Sequence, residues 1–223
     1  MKRLRILLGD DHSLILSGIK GLLEHQYEIV GLADNGKNLV EAALHLKPDV
    51  VVLDISMPVL NGIDAMREIK RALPATKVIV LTMHQNTIYL QKALEAGASA
   101  YVLKSGAAEE LLTAVEKADQ GMVYVSSGFP VNLVDTILRT RNKTARSALE
   151  LTSRQRQVLQ LVAEGRQNKE IANIIHVSVR TVEFHRSSLM QKLGANSVAE
   201  LTRFAIQEGL IEGPQMVHDA PPA

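Results

Sequence analysis

Four short apolar runs in the first half of the chain each stop at a residue that can do chemistry. Residues 50–53 run into Asp54, and residues 4–8 are followed by Asp10 and Asp11. Residues 78–81 end at Thr82, and residues 100–103 end at Lys104. If those ends converge, they supply three carboxylates, a hydroxyl and an ammonium. Three acids at close range repel one another unless a cation stands between them. A hard ion such as Mg²⁺ takes one or two carboxylates together with phosphate oxygens and keeps its remaining waters. The chemistry such a cluster serves is therefore the phosphorylation of an acid beside a divalent cation.

The elements that must bring these residues together can be read from periodicity. Val50, Val51, Val52 and Leu53 form a continuous β-branched run without alternation, as a strand buried on both faces requires. Pro58 and the Asn61-Gly62 pair then force a turn before a helical pattern resumes. Strand runs beginning at Leu4, Glu28, Val50, Lys77 and Ala100 alternate with helical patterns near residues 13–25, 38–46, 63–73, 87–96 and 108–121. This alternation predicts an α/β fold with a doubly wound, five-stranded parallel sheet. Acids at the carboxyl ends of the first and third strands fit the order 2-1-3-4-5, whose switch point lies between those two strands and forms the ligand crevice.

Composition narrows the class of protein. The 223 residues suffice for two small domains and include no cysteine, which excludes disulfides and thiolate chemistry. No apolar segment approaches the roughly 20 residues that span a bilayer. The basic start Met1-Lys2-Arg3 meets Asp10 too soon to be a signal peptide, so a soluble, cytoplasmic protein is expected. Residues 1–125 carry 13 Lys and Arg against 15 Asp and Glu. Residues 139–203 carry 12 against five, a balance that favours a polyanion as partner.

The pattern changes after Gly121. Residues 131–138 read as a short helix with Val131, Val134 and Leu138 inward, and residues 139–147 are polar, basic and aperiodic. The expected organisation is a first domain over residues 1–123, a linker with a short helix over 124–147, a helical domain over 148–212, and a disordered tail over 213–223. Thr152 and Gln155 form a capping box, and Ser197 and Glu200 a second. Between them lie a short helix from Asn168, a tight turn at Val177-Ser178 and a longer helix from Val179. That is a helix-turn-helix pattern.

On these residues two resemblances stand. The acid pair, the Asp-x-x-Met-Pro-x-x-x-Gly stretch from Asp54 to Gly62, Thr82, and Gly97-Ala98-x-x-Tyr101-x-x-Lys104 resemble the receiver domain of two-component response regulators, a flavodoxin-like fold. Leu151-Thr152, Val158-Leu159, Gly165, Asn168 to Ala172, Thr181-Val182, His185 and Lys192-Leu193-Gly194 resemble the LuxR-type DNA-binding domain. Together the chain looks like a NarL/FixJ-family response regulator. The resemblance implies that Asp54 is the phosphoacceptor for a sensor histidine kinase. It implies Mg²⁺ held by Asp11, Asp54 and the backbone carbonyl of Ser56, with Asp10 acting through water. It further implies Lys104 paired with the phosphoryl group, Thr82 and Tyr101 as the switch, and Ser56 and His84 flanking the phosphoryl group. Receivers often carry Pro after this lysine; Ser105 stands there in this chain.

In the second domain, Val182, His185, Leu189 and Leu193 share an inward stripe on the helix from Val179. Arg180, Glu183, Phe184, Ser187 and Gln191 fall on the opposite one, which would enter the major groove. Arg186, Lys192, Lys169 and Thr152 would meet phosphates, and Val198, Leu201, Ala205 and Ile206 are candidates for a homodimer contact. The expected function is a phosphorylation-controlled transcription factor that binds double-stranded DNA, not an enzyme. The competing enzyme class is a haloacid-dehalogenase-type phosphatase, which needs a second acid two residues after its nucleophile, where this chain has Ser56. A binding module that ignores phosphate is the third class, and the intact acids, Thr82 and Lys104 speak against it.

Overall fold

The computed structural model describes residues 3–106, 108–140 and 151–212. The expected polar linker run, 141–147, and the expected tail, 213–223, lie outside the described residues. The chain divides into two compact units, Met1–Gln157 and Val158–Ala223, the division falling inside one helix.

The first unit alternates strands β1 (Arg5–Gly9), β2 (Glu28–Ala33), β3 (Val50–Leu53), β4 (Lys77–Thr82) and β5 (Ala100–Leu103) with helices α1 (Ser13–Leu23), α2 (Gly36–Leu46), α3 (Gly62–Ala72), α4 (Thr87–Glu95) and α5 (Ala108–Asp119). These strands pair in parallel throughout, in the order β2-β1-β3-β4-β5. Because β3 is central and buried on both faces, its four apolar residues need no alternation. Side-chain parity then sorts the core into two layers. Leu7, Val51, Leu53, Val80 and Tyr101 face α2, α3 and α4, whereas Ile6, Leu8, Val52, Ile79 and Val102 face α1 and α5.

The sheet differs from expectation in having a sixth strand, β6 (Tyr124–Val125), paired with Ala100 and Tyr101 of β5. Two residues are too few to produce a period, so this strand is set by its partner and not by local pattern. After it, α6 (Val131–Thr140) packs Leu133, Val134 and the buried Ile137 onto the first core layer. The side chains of Val131 and Leu138 lie outside the described set. The stretch 124–140, expected to belong to a linker with a short helix, does contain that helix and also adds a strand to the first unit.

Helix α7 (Ser153–Ala163) leads into α8 (Asn168–Ile174), α9 (Val179–Leu193) and α10 (Val198–Gln207). Val158, Leu161, Ile171, Val182, Leu189 and Leu201 are wholly buried. The Thr152 box forms as read: Gln155 N–H donates to Thr152 Oγ1 at 3.2 Å, and Thr152 N–H to Gln155 Oε1 at 3.0 Å. At the last helix only half of the expected box forms. Ser197 Oγ accepts from Glu200 N–H, but the Glu200 carboxylate accepts from Asn196 N–H, one residue earlier.

Close approach fixes the loop after β3. A Cβ on Gly62 would lie 2.0 Å from the Asp54 carbonyl oxygen, and one on Gly36 would lie 1.8 Å from that of Leu60. Backbone cannot yield as a side-chain tip can, so Gly62→Ala should destabilise the first unit by about 1–3 kcal/mol, as overpacking does. Gly21, inside α1, has nothing within 4 Å of such a Cβ, and Gly21→Ala should stabilise by about 0.5–1 kcal/mol. Urea unfolding followed by circular dichroism measures both, and equal effects of the two substitutions would contradict this packing.

Candidate phosphoryl and nucleic-acid sites

Strand register brings the predicted residues together. Gly9 pairs with Leu53, so Asp10 and Asp54 leave the sheet side by side. The ladder continues one residue past the strands: Asp54 N–H donates to Gly9 O at 2.9 Å, and Asp10 N–H to Ala33 O at 3.0 Å. On the other flank Thr82 pairs with Leu103, and Lys104 N–H donates to Thr82 O at 2.8 Å. Three backbone ladders thereby deliver Asp10, Asp54, Thr82 and Lys104 to one crevice.

Within it the Lys104 ammonium lies 2.7 Å from Asp10 Oδ2 and 2.7 Å from Asp54 Oδ2. Asp10 and Asp54 are buried, and the lysine side chain is only 7% exposed. Burial alone would depress the ammonium's pKa, but Asp54 and Asp10 outweigh it and hold it above the ordinary 10.5. The other Asp54 oxygen, Oδ1, accepts from Ile55 N–H at 2.7 Å. Donor atoms of Asp10, Asp11, His12 and Asp54 all lie within 4.8 Å of one another. Hard carboxylate oxygens at that spacing are a donor set that fits Mg²⁺. His12 was not among the predicted residues, although its place directly after the acid pair was a usable signal.

The predicted switch residues meet at His84. Thr82 Oγ1 accepts from His84 N–H at 3.3 Å, and the Tyr101 hydroxyl donates to His84 O at 2.8 Å. Tyr101 is wholly buried and edge-on to Phe129, and burial, then Tyr89 and Asp54, push its phenol pKa up. The His84 ring stacks on Tyr89 with centroids 4.3 Å apart, while its Nε2 lies 2.8 Å from Ser56 Oγ. Ser56 and His84 therefore hold each other. In the loop between them and α3, Val59 has φ 71°, a strained backbone for a β-branched residue. The described residues contain no cis peptide bond.

In the second unit α9 has the two faces expected of it. Val182 and Leu189 are fully buried and His185 is half-buried. Arg180, Glu183, Phe184, Ser187 and Gln191 are all exposed, Phe184 to 69%. Ser178 caps the helix, accepting from Thr181 N–H at 3.1 Å. Lys169 on α8 and Thr152 before α7 are exposed, and Lys192 is half-buried. Arg186 is not free to roam: its guanidinium donates to Asn168 Oδ1 at 2.6 Å, which ties α9 to the start of α8.

The dimer candidates need correction. Leu201 and Ala205 are wholly buried within their own unit, because they are the inward positions of α10, and so they present no surface to a partner. Val198 is 45% exposed and Ile206 is half-buried.

Residues 6–116 match the family described as "Response regulator receiver domain", and residues 149–205 the "Bacterial regulatory proteins, luxR family". The chain is 36% identical over 211 residues to the transcriptional regulatory protein MctR of Rhizobium johnstonii, covering 94% of this chain and 96% of that one. Among solved structures it resembles the Salmonella typhimurium response regulator RcsB, with a TM-score of 0.61 and 28% identity over 93% of this chain and 99% of that chain. It also resembles RcsB of Salmonella enterica serovar Typhimurium bound to promoter rprA in the presence of the phosphomimetic BeF₃⁻, with a TM-score of 0.55 and 29% identity over 90% and 98% of the two chains. Among the described residues, no helix is long and apolar enough to cross a membrane.

Replacing Lys104 by Gln leaves two buried carboxylates without their counter-ion, so the first unit should lose up to about 3 kcal/mol, the lower end of what breaking a buried pair costs. Mg²⁺ should restore part of it. Because the folded pKa of Lys104 is raised, the pair's contribution is complete below the ordinary value of 10.5 and fades only as pH climbs through the higher folded value. Urea midpoints for the two proteins should therefore differ by a constant amount across neutral pH and converge only in strong alkali. Convergence near neutrality would refute the pairing.

Proposed function

The chain belongs to the NarL/FixJ family of response regulators, with a receiver domain and a LuxR-type DNA-binding domain, and from that premise we propose that phosphorylation of Asp54 governs its binding to promoter DNA. The observation that carries the proposal is the buried ammonium of Lys104 set between Asp10 and Asp54 at the carboxyl edge of the sheet. In this reading an Asp54 carboxylate oxygen attacks the phosphorus of a phosphohistidine or a small phosphodonor. The bond to the donor's leaving group breaks as the new O–P bond forms, giving an acyl phosphate.

Lys104 gives up its contact with Asp54 Oδ2 to pair with an oxygen of the arriving phosphoryl group. Asp11, Asp54 and the Ser56 carbonyl are the residues that would hold Mg²⁺, with Asp10 acting through water. When bound, that ion supplies charge neutralisation at the transferring phosphoryl oxygens. Asp10 meanwhile keeps its own contact with Lys104, which holds the ammonium at the mouth of the reaction.

The product is sensed through His84. A Thr82 hydroxyl that turns toward a phosphoryl oxygen abandons the bond it accepts from His84 N–H. The same residue's carbonyl receives the Tyr101 hydroxyl, so a shift of the His84 backbone reaches Tyr101 directly. Ser56, bonded to the His84 ring, stands where it tunes water access to the acyl phosphate.

The exposed stripe of α9 is the proposed reading surface in the major groove. Glu183 would accept from a cytosine amine and Phe184 would touch a thymine methyl, while Arg180, Ser187 and Gln191 complete the stripe. Lys169, Lys192, Arg186 and Thr152 would set register on phosphates. RcsB, which this chain resembles, is bound to a promoter in the presence of a phosphomimetic, and that supports promoter DNA as the partner of the present chain. A sensor histidine kinase as donor and a homodimer as the DNA-bound form, with Val198 and Ile206 the remaining surface candidates of α10, belong to the same proposal.

Binding to selected promoter DNA, measured by fluorescence anisotropy with and without acetyl phosphate and Mg²⁺, tests it. The donor should tighten binding of the native protein and leave Asp54→Asn unchanged, and an equal gain in both would move the phosphorylation site elsewhere. Glu183→Ala should relax preference at one base position, worth roughly 1–3 kcal/mol. Lys169→Ala should weaken all sequences alike and flatten the salt slope by about one. If the two variants exchange behaviours, α9 enters the groove with another face.

A further inference from the structure

The reading of the acidic crevice leaves one side chain in it without a task. His12 directly follows Asp10 and Asp11, and its Nδ1 lies 3.2 Å from Asp10 Oδ1 and 2.9 Å from Asp11 Oδ1. As the residue that caps α1 it makes no side-chain hydrogen bond to the helix. Its ring nitrogen instead joins the carboxylate oxygens of all three acids in one group spanning at most 4.8 Å. Asp10 divides its two oxygens between opposite neighbours. Oδ2 meets the Lys104 ammonium at 2.7 Å, and Oδ1 faces His12. The lysine edge of the crevice is thus the phosphoryl edge, and the histidine edge is the one left for a cation.

We propose that His12 is a nitrogen ligand of this cation site, so that the crevice prefers divalent ions of the first transition row, Mn²⁺ through Ni²⁺, over Mg²⁺. The proposal rests on the reading of Asp10, Asp11 and Asp54 as the cation site. Octahedral ligands at roughly 2.1 Å from an ion sit about 3 Å apart along an edge. The separation of 2.9 Å from His12 Nδ1 to Asp11 Oδ1, the direct carboxylate ligand beside it, matches such an edge. Mg²⁺ draws its ligands from oxygen and keeps several waters, so it gains little from an imidazole. Mn²⁺, Co²⁺ and Ni²⁺ accept imidazole, with affinity rising in that order. The ring is 65% exposed, so it reaches an incoming ion without any rearrangement of the buried acids.

Pulsed electron paramagnetic resonance of Mn²⁺ bound to the full-length protein, carrying ¹⁵N-labelled histidine, detects the ligand directly. Calorimetric titrations with Mg²⁺ and Ni²⁺ on the native protein and on His12→Gln accompany it. The native protein should show ¹⁵N coupling to Mn²⁺, and His12→Gln should lose it. That variant should keep its Mg²⁺ affinity within about twofold. It should bind Ni²⁺ more than about tenfold more weakly, since the loss of even an outer-shell partner costs that much. Mn²⁺ bound without histidine coupling, or coupling that survives in His12→Gln, would overturn the role of His12 and leave the acidic cation site standing. Failure of the native protein to bind either Mg²⁺ or Mn²⁺ would overturn both.

Discussion

One buried ammonium makes the crevice possible. Asp10 and Asp54 leave adjacent strands in register and are almost completely enclosed, a placement that like charges resist. Lys104, arriving from β5 at 2.7 Å from each, supplies the countercharge that lets both remain. Its position follows from the β4–β5 register, which sets Thr82 beside Leu103 and continues into the hydrogen bond from Lys104 N–H to Thr82 O. The chemistry of the site therefore depends on strand alignment before it depends on any side-chain rotamer. A one-residue slip in a central strand would turn its carboxylate or ammonium toward the opposite core layer.

The same constraint explains the tight loop that follows β3. Gly62 and Gly36 admit carbonyl oxygens at distances no side chain tolerates, and Val59 is held at positive φ. These features compress the stretch from Asp54 to Gly62 against the sheet and α2, so that Ser56 meets His84 and Asp54 meets Lys104 without slack. Strain of this sort persists where the surroundings over-determine it. In the second unit the equivalent economy lies in α9, where buried Val182 and Leu189 fix the helix's rotation and thereby choose which residues face outward. Exposed Phe184, an apolar ring that no packing requirement keeps at the surface, is the clearest mark of that outward face.

Much of this was legible because its signals are local. The acids, Thr82 and Lys104 end apolar runs, and a parallel sheet converts four such endings into one crevice without further information. What escaped was set by partners distant in sequence. β6 is two residues long and exists because β5 offers an edge. The hydrogen bond from Arg186 to Asn168, eighteen residues earlier, is a second role for that side chain that its charge did not announce. Leu201 and Ala205 lie on an apolar stripe that periodicity alone could not assign to a core or to a partner, and burial assigns them to the core. Glu200 reaches past Ser197 to Asn196, a choice of partner that the spacing of a capping box does not encode. His12 was passed over although it directly follows the acid pair, because it ends no apolar run and belongs to no period.

The central claim is that the crevice delivers a phosphoryl group to one carboxylate, and reductive trapping tests it most directly. The protein is treated with acetyl phosphate and Mg²⁺ and then with borohydride, which reduces an acyl phosphate to an alcohol and releases phosphate. Peptide mass mapping then locates the reduced side chain. The account predicts reduction at Asp54 alone, dependent on both donor and metal. Reduction at Asp10 or Asp11, or no reduction at any of the three acids, would contradict it.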